Sequence, residues 1–161
     1  MCDASPNPET LSPAERRGRR LFTAGTILLM VIGLVHSVSL IKAPVLSNQT
    51  ERQLLDLMSN YKFDLMGSPR SMQNLMTGFS ISFMFAALGF AAMDLSLRQE
   101  RTELLKRVAF VNTLWLAIMT AVSLRYFFAA PTSFLAAALL LFVLAAITLP
   151  GSEPNVARER P

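Results

Sequence analysis

The stretch "GLVHSVSLI", residues 33–41, holds the only histidine of the chain inside a run that is otherwise apolar or weakly polar. Imidazole is the side chain whose ordinary titration falls nearest neutrality, so His36 is open to three roles. It can form a packing hydrogen bond to Ser39, to a neighbouring helix or to a loop backbone group. It can act in a pocket as a ligand-orienting donor or proton acceptor. It can also ligate a metal or haem, but no second histidine exists for bis-histidine haem. Met66, Met72 and Met76 are thioethers of the kind that suit Cu(I). They are also ordinary gap-fillers, and no metal or other cofactor is expected. Arg125 in "SLRYFF" either snorkels to an interface or turns inward to pair with Asp64 or an anionic ligand, since a guanidinium fork binds carboxylate and phosphate bidentately. Asp94 has Arg98 four residues on, which predicts a helical ion pair.

The elements that must hold these groups are membrane helices. Of the 161 residues, 52% are apolar and 16% charged, far from a soluble composition. Leu21–Ile41 is uncharged apart from His36, 75–97 carries one acid, 108–128 one arginine, and 132–149 no charge. A spanning helix needs roughly 20 such residues. Four spans are predicted, over 21–41, 69–97, 106–128 and 132–149, with 1–20 and 150–161 as disordered cytoplasmic tails. The fold class expected is all-α, a transmembrane four-helix bundle with an extracytoplasmic amphipathic loop helix. "RRGRRLF" with Ser37-Val38-Ser39 imitates a signal peptide, but the run stays apolar through Leu40 and Ile41, past that site. Cys2 follows no apolar segment, as a lipoprotein cysteine would, and a single cysteine excludes an internal disulfide.

Orientation follows the basic residues. Arg16, Arg17, Arg19, Arg20, Arg98, Arg101, Lys106, Arg107, Arg158 and Arg160 make ten on one side, against Lys42, Arg52, Lys62, Arg70 and Arg125 on the other. The positive-inside rule then places both termini in the cytoplasm of a bacterial inner membrane. No basic, aromatic-interleaved patch marks a nucleic-acid partner.

The first loop carries Leu54, Leu57, Met58, Tyr61 and Leu65 at helical spacing, predicting an amphipathic helix over about 50–65 that lies on the outer surface or lids the bundle. "GSPRS" then predicts a turn at Gly67, a cap at Ser68 and a helix from Pro69. Only "AAPT" is expected between the last two helices. On the helical wheel Gly25, Thr26, Gly33, His36, Ser37 and Ser39 share the protein-facing side of helix one, opposite Ile27, Val31, Leu34, Val35 and Val38. Gly78, Ser82, Gly89, Ala92 and Ser96 form a seam of the kind along which helices approach closely, and Asn112, Thr113, Thr120 and Ser123 form an arc expected to face the bundle. The last helix, with Ala136, Ala137, Ala138, Ala145 and Ala146, reads as a packing helix.

No GxSxG, P-loop, HExxH or CxxC motif occurs, so hydrolase, phosphoryl-transfer and thiol-redox chemistry lack their groups. "GLVHS", "FDLMGSPRS" with "GFS" after it, and "SLRYFF" together resemble a family of small bacterial four-helix membrane proteins, loosely DoxX-like in shape, across about 21–149. The resemblance implies His36, Asp64, Arg70 and Arg125 as the recurring polar positions and supplies no activity. The ligand-binding set expected is therefore His36, Ser39, Asp64, Arg70 and Arg125. The expected function is a non-catalytic lipid- or amphiphile-binding protein or accessory subunit, whose partners are the bilayer and another membrane protein or a second copy. The alternative is a membrane enzyme acting on a lipid-soluble substrate, with His36 as general acid/base and Arg125 holding an anionic group.

Overall fold

A computed structural model describes residues 11–41 and 45–151, and of Ser39 the backbone alone. In chain order the elements are α1 (Pro13–Ile41), α2 (Gln49–Asn60), β1 (Lys62–Leu65), β2 (Ser68–Ser71), α3 (Met72–Leu97), α4 (Thr102–Tyr126) and α5 (Ala129–Thr148). The fold is all-α in class, of four-helix-bundle type, and α1, α3, α4 and α5 are each long and apolar enough to cross a membrane. Even the shortest, α5 at 20 residues, reaches about 30 Å at about 1.5 Å per residue.

Several boundaries differ from the sequence reading. α1 begins at Pro13, so 13–20 is helix and not disordered tail. "SPAE" explains the early start: the Ser12 hydroxyl accepts the Glu15 N–H at 3.2 Å and Pro13 occupies the first helical position. The amphipathic helix ends at Asn60, not Leu65, and starts under the cap of Asn48, whose side chain accepts the Glu51 N–H at 2.9 Å. The Glu51 carboxylate returns to the Ser47 N–H at 2.6 Å. The predicted tails at 1–10 and 152–161, with Cys2, Arg158 and Arg160, lie outside the described residues, as does Lys42.

The segment expected to lead straight into the third element is an antiparallel hairpin. Lys62 pairs with Ser71, Phe63 with Arg70, Asp64 with Pro69 and Leu65 with Ser68. The two-residue turn puts Met66 at φ 53° and Gly67 at φ 83°, the pair of positive angles that suits the twist of a tight hairpin. In such a hairpin the pair beside the loop is hydrogen-bonded and the next is not, so Pro69 occupies a position where no N–H is required. The cap of α3 is therefore Ser71 and not Ser68. Ser71 Oγ accepts the Asn74 N–H at 3.2 Å, and Asn74 Oδ1 accepts from Ser71 N at 3.2 Å and Ser71 Oγ at 2.8 Å.

The chain divides into two compact units, 1–32 with 90–161, and 33–89. The first unit, as far as described, has its core on α4 at Leu105, Ala109, Asn112, Leu116, Thr120 and Ser123, and on α5 at Leu135, Ala138, Phe142 and Ala145. Steps of three and four give each helix one buried stripe. "AAPT" does not form the connection between them: it lies in the first turn of α5, and Phe127 and Phe128 make the link. Ser123 and Thr132 close that corner with hydroxyls 2.7 Å apart. Phe22 of α1 meets Phe142 edge to face, ring centroids 5.5 Å apart. Gly25 allows this approach, because a Cβ there would lie 3.0 Å from Phe142 Cε2.

Arg19 ties α1 to the α3–α4 connection. Its guanidinium donates to the carbonyls of Arg98 at 3.0 Å and Glu100 at 2.8 Å and to Thr102 Oγ1 at 3.1 Å, and pairs with Glu15 at 3.3 Å. Thr102 Oγ1 also donates to the Glu15 carboxylate. Arg19 thus binds backbone oxygens of the connection between α3 and α4, which lie outside either helix.

In the second unit, the C-terminal turns of α1 pack against the middle of α3, at Phe83, Ala87 and Leu88. Gly33 is buried beneath Leu88 and Ala87. The predicted faces of α1 hold for the described side chains: Gly25, Thr26 and Gly33 are buried and His36 and Ser37 half-buried, while Ile27, Val31, Leu34, Val35 and Val38 are exposed; the Ser39 side chain lies outside the described residues.

The close approach at Gly25 yields a test. Gly25→Ala is expected to lower stability in detergent by about 1–3 kcal/mol, because the aromatic ring opposite must shift. Gly89→Ala, where a Cβ would meet nothing within 4 Å, should leave the thermal midpoint unchanged or raise it.

Candidate functional site

Side chains of interest fall in three places, and the first is a groove on the second unit. Arg70 lies one residue before the end of β2, and Asn74, Gly78 and Ser82 follow on α3 at intervals of four, with Leu75 and Phe79 beside them. The groove encloses about 370 Å³. Its polar end is rich in donors. Asn74 Oδ1 is already occupied by Ser71, which leaves the Nδ2 hydrogens. Arg70 spends one guanidinium contact on the Pro69 carbonyl at 3.1 Å and keeps its other N–H groups. Below that end, the missing side chain of Gly78 leaves open space and Phe79 is exposed. A donor-lined head above an apolar, partly aromatic channel is chemically suited to an anionic amphiphile. A larger concavity of about 630 Å³ runs along Ser47, Asn48, Gln49, Arg52, Gln53 and Asp56. It is polar, and Arg52 and Asp56 offset each other's charge.

The second place is the core of the first unit, where the sequence reading needs correction. Asp94 does not form the expected pair with Arg98. It is fully buried, and its Oδ2 accepts from Asn112 Nδ2 at 2.7 Å. Thr26 of α1 adjoins it, with its own hydroxyl donating to the Phe22 carbonyl at 3.0 Å. Three helices therefore bring polar groups to one carboxyl. Arg98 is exposed, and its carbonyl belongs to the Arg19 tie. Asp94 turns inward because it shares a row with Ala87 and Ala91, all buried. The seam of Gly78, Ser82, Gly89, Ala92 and Ser96 lies roughly opposite that row. All five are exposed, so this seam of small residues faces away from the buried row.

The third place is His36. It is half-buried, and its ring meets Phe83 edge on, with centroids 5.0 Å apart. The Ser39 side chain lies outside the described residues.

The expected ligand set is not assembled as one group. Asp64 and Arg70 are separated by the hairpin register: Asp64 lies opposite Pro69, Arg70 opposite Phe63, and side chains alternate between faces along each strand. Both are exposed. Arg125, in the first unit, is exposed near the end of α4, with its guanidinium carbon 5.7 Å from the centroid of the Tyr126 ring. Its guanidinium is therefore placed against the adjacent aromatic ring. Asn112 was legible as bundle-facing, and Thr120 and Ser123 of the same arc are buried with it. Asn74 was missed. Its signal was the "SMQN" spacing after Ser71, which places an amide where it can close a helix cap.

The Asp94–Asn112 contact has a measurable consequence. Asn112→Leu removes the donor from a buried carboxyl and should cost about 1.5–3 kcal/mol, read by thermal unfolding in detergent. Asp94→Asn keeps an acceptor for Asn112 and should be tolerated far better. The Asp94→Leu, Asn112→Leu double variant should be less destabilised than the two single losses added together.

The chain matches no protein-family model, no curated protein and no solved structure.

Proposed function

We propose that this chain is a non-catalytic multi-pass membrane protein that holds an amphiphile with an anionic headgroup, acting as a lipid-binding or accessory subunit. The observation that carries the reading is the Arg70–Asn74 end of the groove, where donors converge above the open space at Gly78. A phosphate or carboxylate would take the remaining Arg70 and Asn74 N–H groups, and an alkyl chain would run past Leu75, Phe79 and Ser82. His36 serves packing against Phe83, and Arg125 anchors the end of α4 at the interface. The ten-to-five division of basic residues favours a bacterial inner membrane with both termini cytoplasmic, which puts the groove on the outer side. The likeness to DoxX-shaped proteins adds architecture alone.

A partner helix is the second reading, favoured by the outward-facing seam of small residues on α3. A helix from another membrane protein or a second copy would cover Gly78 and Ser82, so it competes with the amphiphile for the same face.

Native mass spectrometry after gentle extraction separates these readings. An anionic lipid adduct should accompany the wild type and fall about tenfold in Arg70→Ala, the loss that one charge-assisted contact of about 1.4 kcal/mol implies, and persist in Arg125→Ala. Equal adducts in wild type and Arg70→Ala would overturn the groove assignment. A stable dimer or heteromer without lipid would favour the partner helix.

A further inference from the structure

The second unit leaves a row of apolar side chains with no protein against it. On α2, Leu54 is 57% exposed, Leu57 61% and, at its end, Tyr61 68%. Met66 at the hairpin tip is fully exposed, and Leu65 beside it is 40% exposed. Such residues gain by leaving water, so the arrangement requires a cover.

We infer that α2 and the hairpin tip lie in the headgroup layer of the bilayer itself, with Leu54, Leu57, Tyr61, Leu65 and Met66 buried against lipid. The chain fixes the segment there at both ends. α1 runs to Ile41 and α3 begins at Met72, both apolar spans, so the intervening stretch is tethered to one membrane surface. Exposed apolar side chains also flank the segment among the described residues: Val38, Ile41 and Val45 precede α2, and Met72, Met76 and Phe79 follow the hairpin. The opposite side of α2 is suited to water. Arg52 and Asp56 each lie roughly 160° around the helix from Leu54, and both line the open polar concavity. Helices of this pattern lie in the interface plane with the apolar face sunk into the acyl boundary.

Charge does not drive the insertion. From 45 to 71 the acids Glu51, Asp56 and Asp64 balance Arg52, Lys62 and Arg70. The partner is therefore a lipid surface in general, zwitterionic lipid included, and neither the insertion nor its test depends on the groove holding a ligand.

The experiment places a bimane label at single cysteines, in a Cys2→Ser background, at Leu54, Met66 and Arg52 of the full chain in phosphatidylcholine vesicles. Dibrominated phosphatidylcholine should quench the labels at 54 and 66 several-fold more than the label at 52, and aqueous iodide should show the reverse order. Iodide quenching all three equally would overturn the inference by placing the stripe in water. Protection of position 54 from both quenchers would overturn it by placing protein over the stripe, as a lid or second copy would. Leu57→Cys, on the same face, replaces Leu54→Cys if that variant does not incorporate.

Discussion

A backbone amide without a hydrogen-bond partner in hydrocarbon costs several kcal/mol, and this cost constrains every apolar segment of the chain. Four helices satisfy it internally. Each then has to dispose of its polar side chains, and α1 and α4 do so by turning them to one side. Thr26, Asn112, Thr120 and Ser123 are buried while the β-branched and leucine-rich faces of the same helices stay exposed. Ser37, Thr23 and Thr113 each donate to the carbonyl four residues earlier, which satisfies the hydroxyl within its own helix.

Within the first unit, two ties use the scarcity of partners in a different way. Asp94 and Asn112 join α3 to α4 by a hydrogen bond between two buried side chains. Arg19 gathers two main-chain carbonyls, a threonine hydroxyl and a carboxylate, and so locks the start of α1 to the connection after α3. Of the four arginines before the first long apolar run, Arg19 is thus built into the fold, and its neighbours remain available to the membrane surface.

The stretch between α1 and α3 obeys another rule. It carries helix, hairpin and cap in fewer than thirty described residues, and its exposed apolar side chains indicate that lipid completes it. The Ser71–Asn74 cap has a second effect. By taking Asn74 Oδ1 it leaves the amide hydrogens at the head of the groove, next to Arg70, so closing the helix also sets the chemistry of the site.

The number of spans, their approximate extent and the inward face of α1 and α4 were legible in the sequence alone, because hydrocarbon strictly constrains both the length of a spanning helix and where its polar side chains can go. The early start of α1 was equally written in "SPAE", a local capping signal outweighed by the polar composition around it. Other features depended on tertiary structure. A helical wheel identifies faces but not which face finds protein, so the outward turn of the Gly78–Ser96 seam and the inward turn of Asp94 followed from the Ala87–Ala91 row meeting its neighbours. The hairpin was hidden because Leu54, Leu57, Met58, Tyr61 and Leu65 continue a helical period across a boundary that only the positive φ angles of Met66 and Gly67 and the cross-strand pairing impose. That pairing also separated Asp64 from Arg70, since the alternation of a strand depends on register, and register is a relation between two strands that neither contains by itself.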